Sequence, residues 1–174
     1  MKLITLVLGM VVIAAQGSHE AQTKLAWKTF TNRAGWSIQY PANWTVGSCH
    51  SCSDPAEGNV FVTFWDPARP GDSVMIEHLA PKPADKTAMQ WLQEMKRNPN
   101  AQTTEEALVI DGMPALKVRY KHPTGREFEM VYVVRNSDTF EITIHDDNDA
   151  ERIQDMSIYP IYQHMLSTFK FTRK

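Results

Sequence analysis

Residues Leu108 to Ile144 read LVIDGMPALKVRYKHPTGREFEMVYVVRNSDTFEITI. Three turn signals cut this stretch into four short segments. Asp111-Gly112 is the pair that a type I′ hairpin turn prefers, because both central residues need positive φ. Leu108, Val109 and Ile110 precede it. After it, Leu116, Val118 and Tyr120 point one way and Lys117, Arg119 and Lys121 the other, the period-2 pattern of a half-buried strand. A turn at Pro123-Thr124-Gly125 leads to Phe128, Met130, Tyr132 and Val134. Another at Asn136-Ser137-Asp138 leads to Phe140, Ile142 and Ile144. Four strands joined by tight turns form an antiparallel meander.

Upstream, Asp85 to Arg97 is expected to be a helix. Ala88, Trp91, Leu92 and Met95 fall at i, i+3, i+4 and i+7 and make one apolar stripe. Asp85 is placed to cap it, and Asn98-Pro99 to end it. Asn59 to Trp65 (NVFVTFW) carries apolar residues on both faces and reads as a central strand covered on both sides. Ser73 to Leu79 is a further strand, after a turn at Pro70-Gly71-Asp72. Trp27 to Thr31 is a short strand. Trp36, Ile38 and Tyr40 mark another, which stops at Pro41 because proline cannot donate to the ladder. Downstream, Asn148 and Glu151 have capping-box spacing. Ile153, Met156, Ile161, Met165 and Leu166 continue as a terminal helix that Pro160 should kink or restart. Phe169 to Phe171 reads as an extended tail. A sheet with helices on both sides accommodates this order best. The expected fold class is α/β (α+β): a single-domain α/β/α sandwich with a central, mainly antiparallel sheet.

The chain has 174 residues, with 18 Lys and Arg against 20 Asp and Glu. One ordinary domain fits this length. The near-balance of charge argues against a general nucleic-acid binder. Met1-Lys2 is a short basic start, and Leu3 to Ala15 is an apolar run shorter than the ~20 residues a spanning helix needs. Ala15 and Gly17 place small residues at −3 and −1 of a cleavage point. Residues 1–17 therefore read as a secretory signal peptide. Residues 18–26 are expected to be a flexible segment, and 27–174 the domain. Cleavage leaves 157 residues with a net charge of −3. The expected location is secreted or periplasmic, without stable membrane insertion after cleavage.

Phe30 to Trp44 (FTNRAGWSIQYPANW) resembles the opening of the PsbP-like proteins: an aromatic strand, a glycine, a second aromatic strand, then Tyr-Pro-x-x-Trp. The Asp111-Gly112 hairpin flanked by Ala115 and Tyr120 is similar too, as is the closing Met165 to Phe171. Together they touch the start, middle and end of the mature chain. The resemblance implies the PsbP/Mog1 fold, a central antiparallel sheet between helices. It also implies a mostly non-enzymatic superfamily. Some members are extrinsic photosystem II subunits that help retain calcium and chloride near the manganese cluster. Some bind Ran, and many are secreted bacterial proteins. The resemblance transfers the fold and the non-catalytic expectation, and no functional residue.

One sharp local feature lies outside that resemblance: Cys49-His50-Ser51-Cys52, in a Gly-, Ser- and Asp-rich loop. Three readings are open. An exported protein favours a disulfide, although so small a loop gains little entropy by closure. Thiol exchange is the second, with His50 able to depress a thiol pKa, but no helix follows as it does in thioredoxin-like motifs. Metal binding is the third, since Cys49, His50 and Cys52 are soft ligands. Trp44 can fold back as a lid on the core edge, and Trp36 and Trp44 could also contact a ligand or partner. Asp146-Asp147-Asn148-Asp149 resembles a calcium loop only faintly, and lacks the glycine and bidentate Glu of an EF-hand. Lys117, Arg119 and Lys121 are explained by cross-strand pairing with Glu127 and Glu129, and with Glu141 one strand further.

No catalytic or dinucleotide fingerprint is present. The six histidines are scattered, with no two at i, i+4. The reading that results is an exported, non-catalytic module that binds a protein or assembly, without cofactor or metal. The alternative is a thiol-redox or metal-binding protein acting through Cys49 and Cys52.

Overall fold

A computed structural model describes residues 25–48, 61–95, 102–122, 125–145 and 152–172. Asp111 and Gly112 take φ values of 48° and 78°. They close the hairpin between β6 (Gln102–Ile110) and β7 (Met113–Lys121), as their chemistry requires. β8 (Glu127–Arg135) and β9 (Asp138–His145) complete the meander. Arg135 lies opposite Asp138 across a two-residue turn in which Asn136 has φ 57°. Before the meander come β3 (Thr45–Ser48), β4 (Phe61–Asp66) and β5 (Arg69–Leu79). These seven strands form one sheet in the order β3-β4-β5-β9-β8-β7-β6, antiparallel throughout.

The remaining strands form a small second sheet. β1 (Trp27–Asn32) and β2 (Trp36–Pro41) pair as a hairpin, and the expected terminal tail joins them as β10 (Lys170–Phe171). The small sheet and α2 (Tyr159–Thr168) cover one face of the large sheet. Trp36, Ile38, Phe64, Phe140, Ile142, Ile144, Met165 and Phe169 meet there, each at most 2% exposed. The opposite face carries α1 (Ala88–Glu94). Helices thus lie on both sides of a mainly antiparallel sheet, and one side is reinforced by three extra strands.

Both helices begin for legible reasons, one of them corrected. The N-cap of α1 is Thr87, not Asp85. Thr87 Oγ1 accepts from the Gln90 amide at 3.3 Å, and Gln90 Oε1 accepts from the Thr87 amide at 3.0 Å. That reciprocal box satisfies two orphan donors at once, whereas Asp85 sits in the preceding turn. The described helix ends with Met95 as its C-cap, short of Arg97. α2 restarts after a 3-10 turn at Ile153–Asp155, with Pro160 in its first turn, where a missing N–H costs nothing. The Asn148/Glu151 box lies outside the described residues.

Three further expectations are corrected. β3 is a strand that the Gly47-Ser48 composition concealed. Its Gly47 lies so close to Trp65 that a Cβ there would stand 2.8 Å from the indole. The turn before β5 is Pro67-Ala68 rather than Pro70-Gly71-Asp72. Asp66 Oδ1 accepts from the Ala68 amide at 2.9 Å, and a register shift at Trp65/Asp66 lets the chain reverse early. Finally, β4 is second from the sheet edge. It buries Val62 and Phe64 while Phe61, Thr63 and Trp65 stay half-exposed. The strands buried on both faces are β8 and β9, at positions 129–134 and 139–144.

Candidate functional site

The two faces of the large sheet differ in charge because alternation sends the side chains of each strand apart. On the α2 side, Arg119 Nε donates to Glu129 Oε2 at 2.7 Å, and Arg119 Nη2 donates to the Tyr159 hydroxyl at 2.8 Å. Glu129 is 0% exposed. Burial works against the Arg119 charge, but Glu129 outweighs it and the guanidinium pKa is raised. Tyr159 is also raised, by burial and by the same carboxylate. Tyr162, fully buried, is raised well above 10 by burial and Glu129. Neither Tyr162 Oη nor Glu129 Oε1 has a hydrogen-bond partner among the described residues. Lys117 pairs with Glu106 of the neighbouring strand, and Lys121 stands opposite Glu127. The basic stripe is therefore structural at Lys117 and Arg119.

Glu141 does not belong to that set. It stands opposite Tyr132, whereas Glu129 shares a face with Val131 and Val133. The register through Asn136-Ser137 puts Phe140, Ile142 and Ile144 on the α2 side and Thr139, Glu141 and Thr143 on the α1 side. The latter three are 0%, 2% and 5% exposed. Trp91 Nε1 donates to Thr139 Oγ1 at 2.8 Å. Thr143 Oγ1 donates to Glu141 Oε1 at 2.9 Å.

Among the described residues the α1 side has a short cover. α1 has seven residues, ~10 Å of helix, against nine-residue strands of ~30 Å. It seats Leu92 and Trp91 over Leu79, Leu116, Tyr132 and Val134. Further along the strands a cavity of about 270 Å³ opens on the sheet. Met75, Val118, Tyr120, Phe128, Met130 and Tyr132 make its apolar wall, and Thr103, Glu141, Thr143 and His145 supply polar groups. The Tyr120 and Phe128 rings stack with centroids 4.9 Å apart. An apolar wall with a few convergent polar groups is the usual make-up of a binding site.

Sequence reasoning did not single out this cavity. Its signal was present in Thr139, Glu141 and Thr143, which alternate with a fully apolar row. The residues singled out lie elsewhere. Cys49, His50 and Cys52 lie outside the described residues, as do residues 1–24 and the acidic run 146–149. Trp36 and Trp44 are core side chains, 2% and 6% exposed. Trp36 stacks on Phe169 at 5.7 Å. Of the histidines, His164 Nε2 lies 3.1 Å from Gln39 Oε1 and its ring stacks on Trp27. His78 faces Asp138 at 3.4 Å. Among the described residues no cluster of three or more His, Cys, Asp and Glu could hold a metal. None of their helices is long and apolar enough to cross a membrane.

No protein-family model and no curated protein matches this chain. Solved structures do. The solution structure of cyanobacterial PsbP from Synechocystis superposes with a TM-score of 0.58 at 15% identity, over 91% of this chain and 99% of that one. A Bacteroides thetaiotaomicron crystal structure gives 0.50 at 15% identity, over 84% of this chain and 49% of that one. With near-complete coverage of both chains in the first of these superpositions, the chain has the PsbP-like fold.

Proposed function

We propose that this protein is an exported, non-catalytic PsbP-like module that binds a protein partner through the α1-side face of its large sheet. The observation that carries this reading is the cavity of about 270 Å³ beside the short α1, with its apolar wall and its group of polar side chains. Burying such a wall against a partner supplies hydrophobic driving force. The opposite face is already covered by α2 and the small sheet. The non-catalytic part of the reading rests on the expectation attached to the fold. The export part rests on the signal-like residues 1–17.

Affinity capture from the native extracellular or periplasmic extract tests the reading. The bait is the chain from Ser18 onward, beside a Phe128→Ala/Met75→Ala variant that truncates the cavity wall. A partner retained by the native chain and lost by the folded variant is the expected result. Equal retention by both would place binding elsewhere. N-terminal sequencing of the exported protein should begin at Ser18.

A further inference from the structure

We propose that two copies of this chain pair through the β6 edge of the large sheet, in antiparallel register about Val109, to form a symmetric dimer. The inference goes beyond the reading above and is independent of it. Val109 lies near the hairpin end of β6, whereas Thr103, which lines the α1-side cavity, lies near the other end.

The edge comes first. Among the described residues β6 is the outermost strand on its side of the sheet. An uncovered edge is a template for another strand. Its hydrogen-bond phase follows from the turn. The residues that flank a two-residue hairpin turn, here Ile110 and Met113, exchange both backbone hydrogen bonds. Bonded and non-bonded pairs then alternate, so the N–H and C=O of Ala107 and Val109 point away from β7. Pro114, which has no N–H to give, stands opposite Val109, in agreement with that phase. Among the described residues, neither Ala107 nor Val109 has a backbone partner on the outer side.

The side chains choose the occupant. Val109 is 75% exposed, far more than any other large apolar side chain among the described residues. Beside it on the α2 side, a groove of about 230 Å³ is lined by Leu108, Ile110, Leu166, Phe169 and Gln163. Gln163 Nε2 is a buried donor without a hydrogen-bond partner among the described residues, which the carbonyl groups of an added strand can meet. A twofold axis through Val109, normal to the sheet, sets Val109 against Val109 of the second copy. The two exchange both outward backbone hydrogen bonds. The same axis sets Leu108 against Ile110 of the second copy, and the reverse, at the mouths of the two grooves. Apolar side chains then meet on both faces of the new pairing, which favours it. An axis at Glu105 or Glu106 would set carboxylate on carboxylate, and one at Ala107 would set Val109 on Glu105. The axis at Val109 keeps Glu106 about 20 Å from its counterpart, so like charges do not face each other.

Sedimentation of the purified chain tests the pairing. At about 0.5 mM the native chain should sediment at twice the monomer mass. Val109→Lys removes the apolar contact and places like charges on the axis, so its self-association should be at least about tenfold weaker. Position 109 is exposed, so the thermal midpoint measured on dilute monomer should stay unchanged. Crosslinking fixes the register, in a Cys49→Ser/Cys52→Ser background under oxidised glutathione. Val109→Cys should give a disulfide-linked dimer, because facing Cα atoms lie about 5.5 Å apart. Ala107→Cys should give none, because its counterpart is displaced by about 13 Å along the strand. A native chain that remains monomeric at that concentration overturns the proposal. So does a dimer that Val109→Lys leaves intact, or one that crosslinks through position 107 and not 109. None of these results would alter partner capture through the α1-side cavity wall.

Discussion

Among the described residues, one face of the seven-stranded sheet is closed and the other is partly open, though both are built from the same strands. On the closed face, α2 and a three-stranded sheet bring Trp36, Phe169 and Met165 onto Phe140, Ile142 and Ile144. On the open face, a seven-residue helix covers one end and leaves Met75, Tyr120 and Phe128 around a cavity. Buried polar groups are handled differently as well. Glu129 on the closed face is locked to Arg119, with Tyr159 bonded to the same guanidinium. Glu141 on the open face borders the cavity. The difference is the basis for proposing that one side of the sheet supplies stability and the other recognition.

The largest expected effect is a truncation on the closed face. Phe140→Ala should cost about 3–5 kcal/mol, the usual range for deleting a buried ring. Phe128→Ala on the open face should cost about 1 kcal/mol, since its ring is half-buried and leaves no sealed void. Urea denaturation measures both, and equal costs would erase the contrast between the faces. Next comes the ion pair. Arg119→Met should cost about 2–3 kcal/mol, less than a fully buried pair because the guanidinium is one-third exposed. Adding Glu129→Leu should restore most of that loss, because no buried charge is then left alone. A double variant as unstable as the single one would mean that packing, not charge, is at stake.

The closed face should also show in alkali. Tyr162 has its pKa raised well above 10 by burial and by Glu129. In the unfolded chain the phenol ionises near 10, so above that pH the folded state holds the extra proton. Stability is therefore intact below about pH 10 and falls as pH rises past it, by up to ~1.4 kcal/mol per pH unit for this one group. Tyr162→Phe should flatten the fall. An unchanged slope would show that Tyr162 does not control it. The smallest effect concerns the cysteines. Cys49→Ser/Cys52→Ser should shift Tm by only about 2 °C or less, because the loop they would close is so short. A large shift, or a change in metal content, would reopen the thiol and metal readings.

Much of the fold could be read from local chemistry. The Asp111-Gly112 turn, the alternation of β7 and the apolar stripe of α1 depend on neighbours within a few residues, and each holds. The Thr87-x-x-Gln90 box is equally local, but Asp85 two residues earlier competes with it as a cap in the sequence. What alternation could not supply was the link between strands. β8 is apolar on both faces, so its pattern does not say which row of β9 shares a face with Met130 and Tyr132. Only the register through Asn136-Ser137 decides it, and that moves Glu141 across the sheet. The cavity was hidden for the same reason, since its wall comes from five strands. β3 was lost because Gly47 and Ser48 read as loop, although Gly47 is small in order to admit Trp65.

The division of labour between the faces is tested most directly by amide hydrogen exchange on the chain alone and bound to its captured partner. The account predicts added protection in β7, β8 and β9 around Tyr120, Phe128 and Thr143, with α2 and the small sheet unchanged. Protection confined to α2 and β1–β2, with those three strands unaltered, would contradict it.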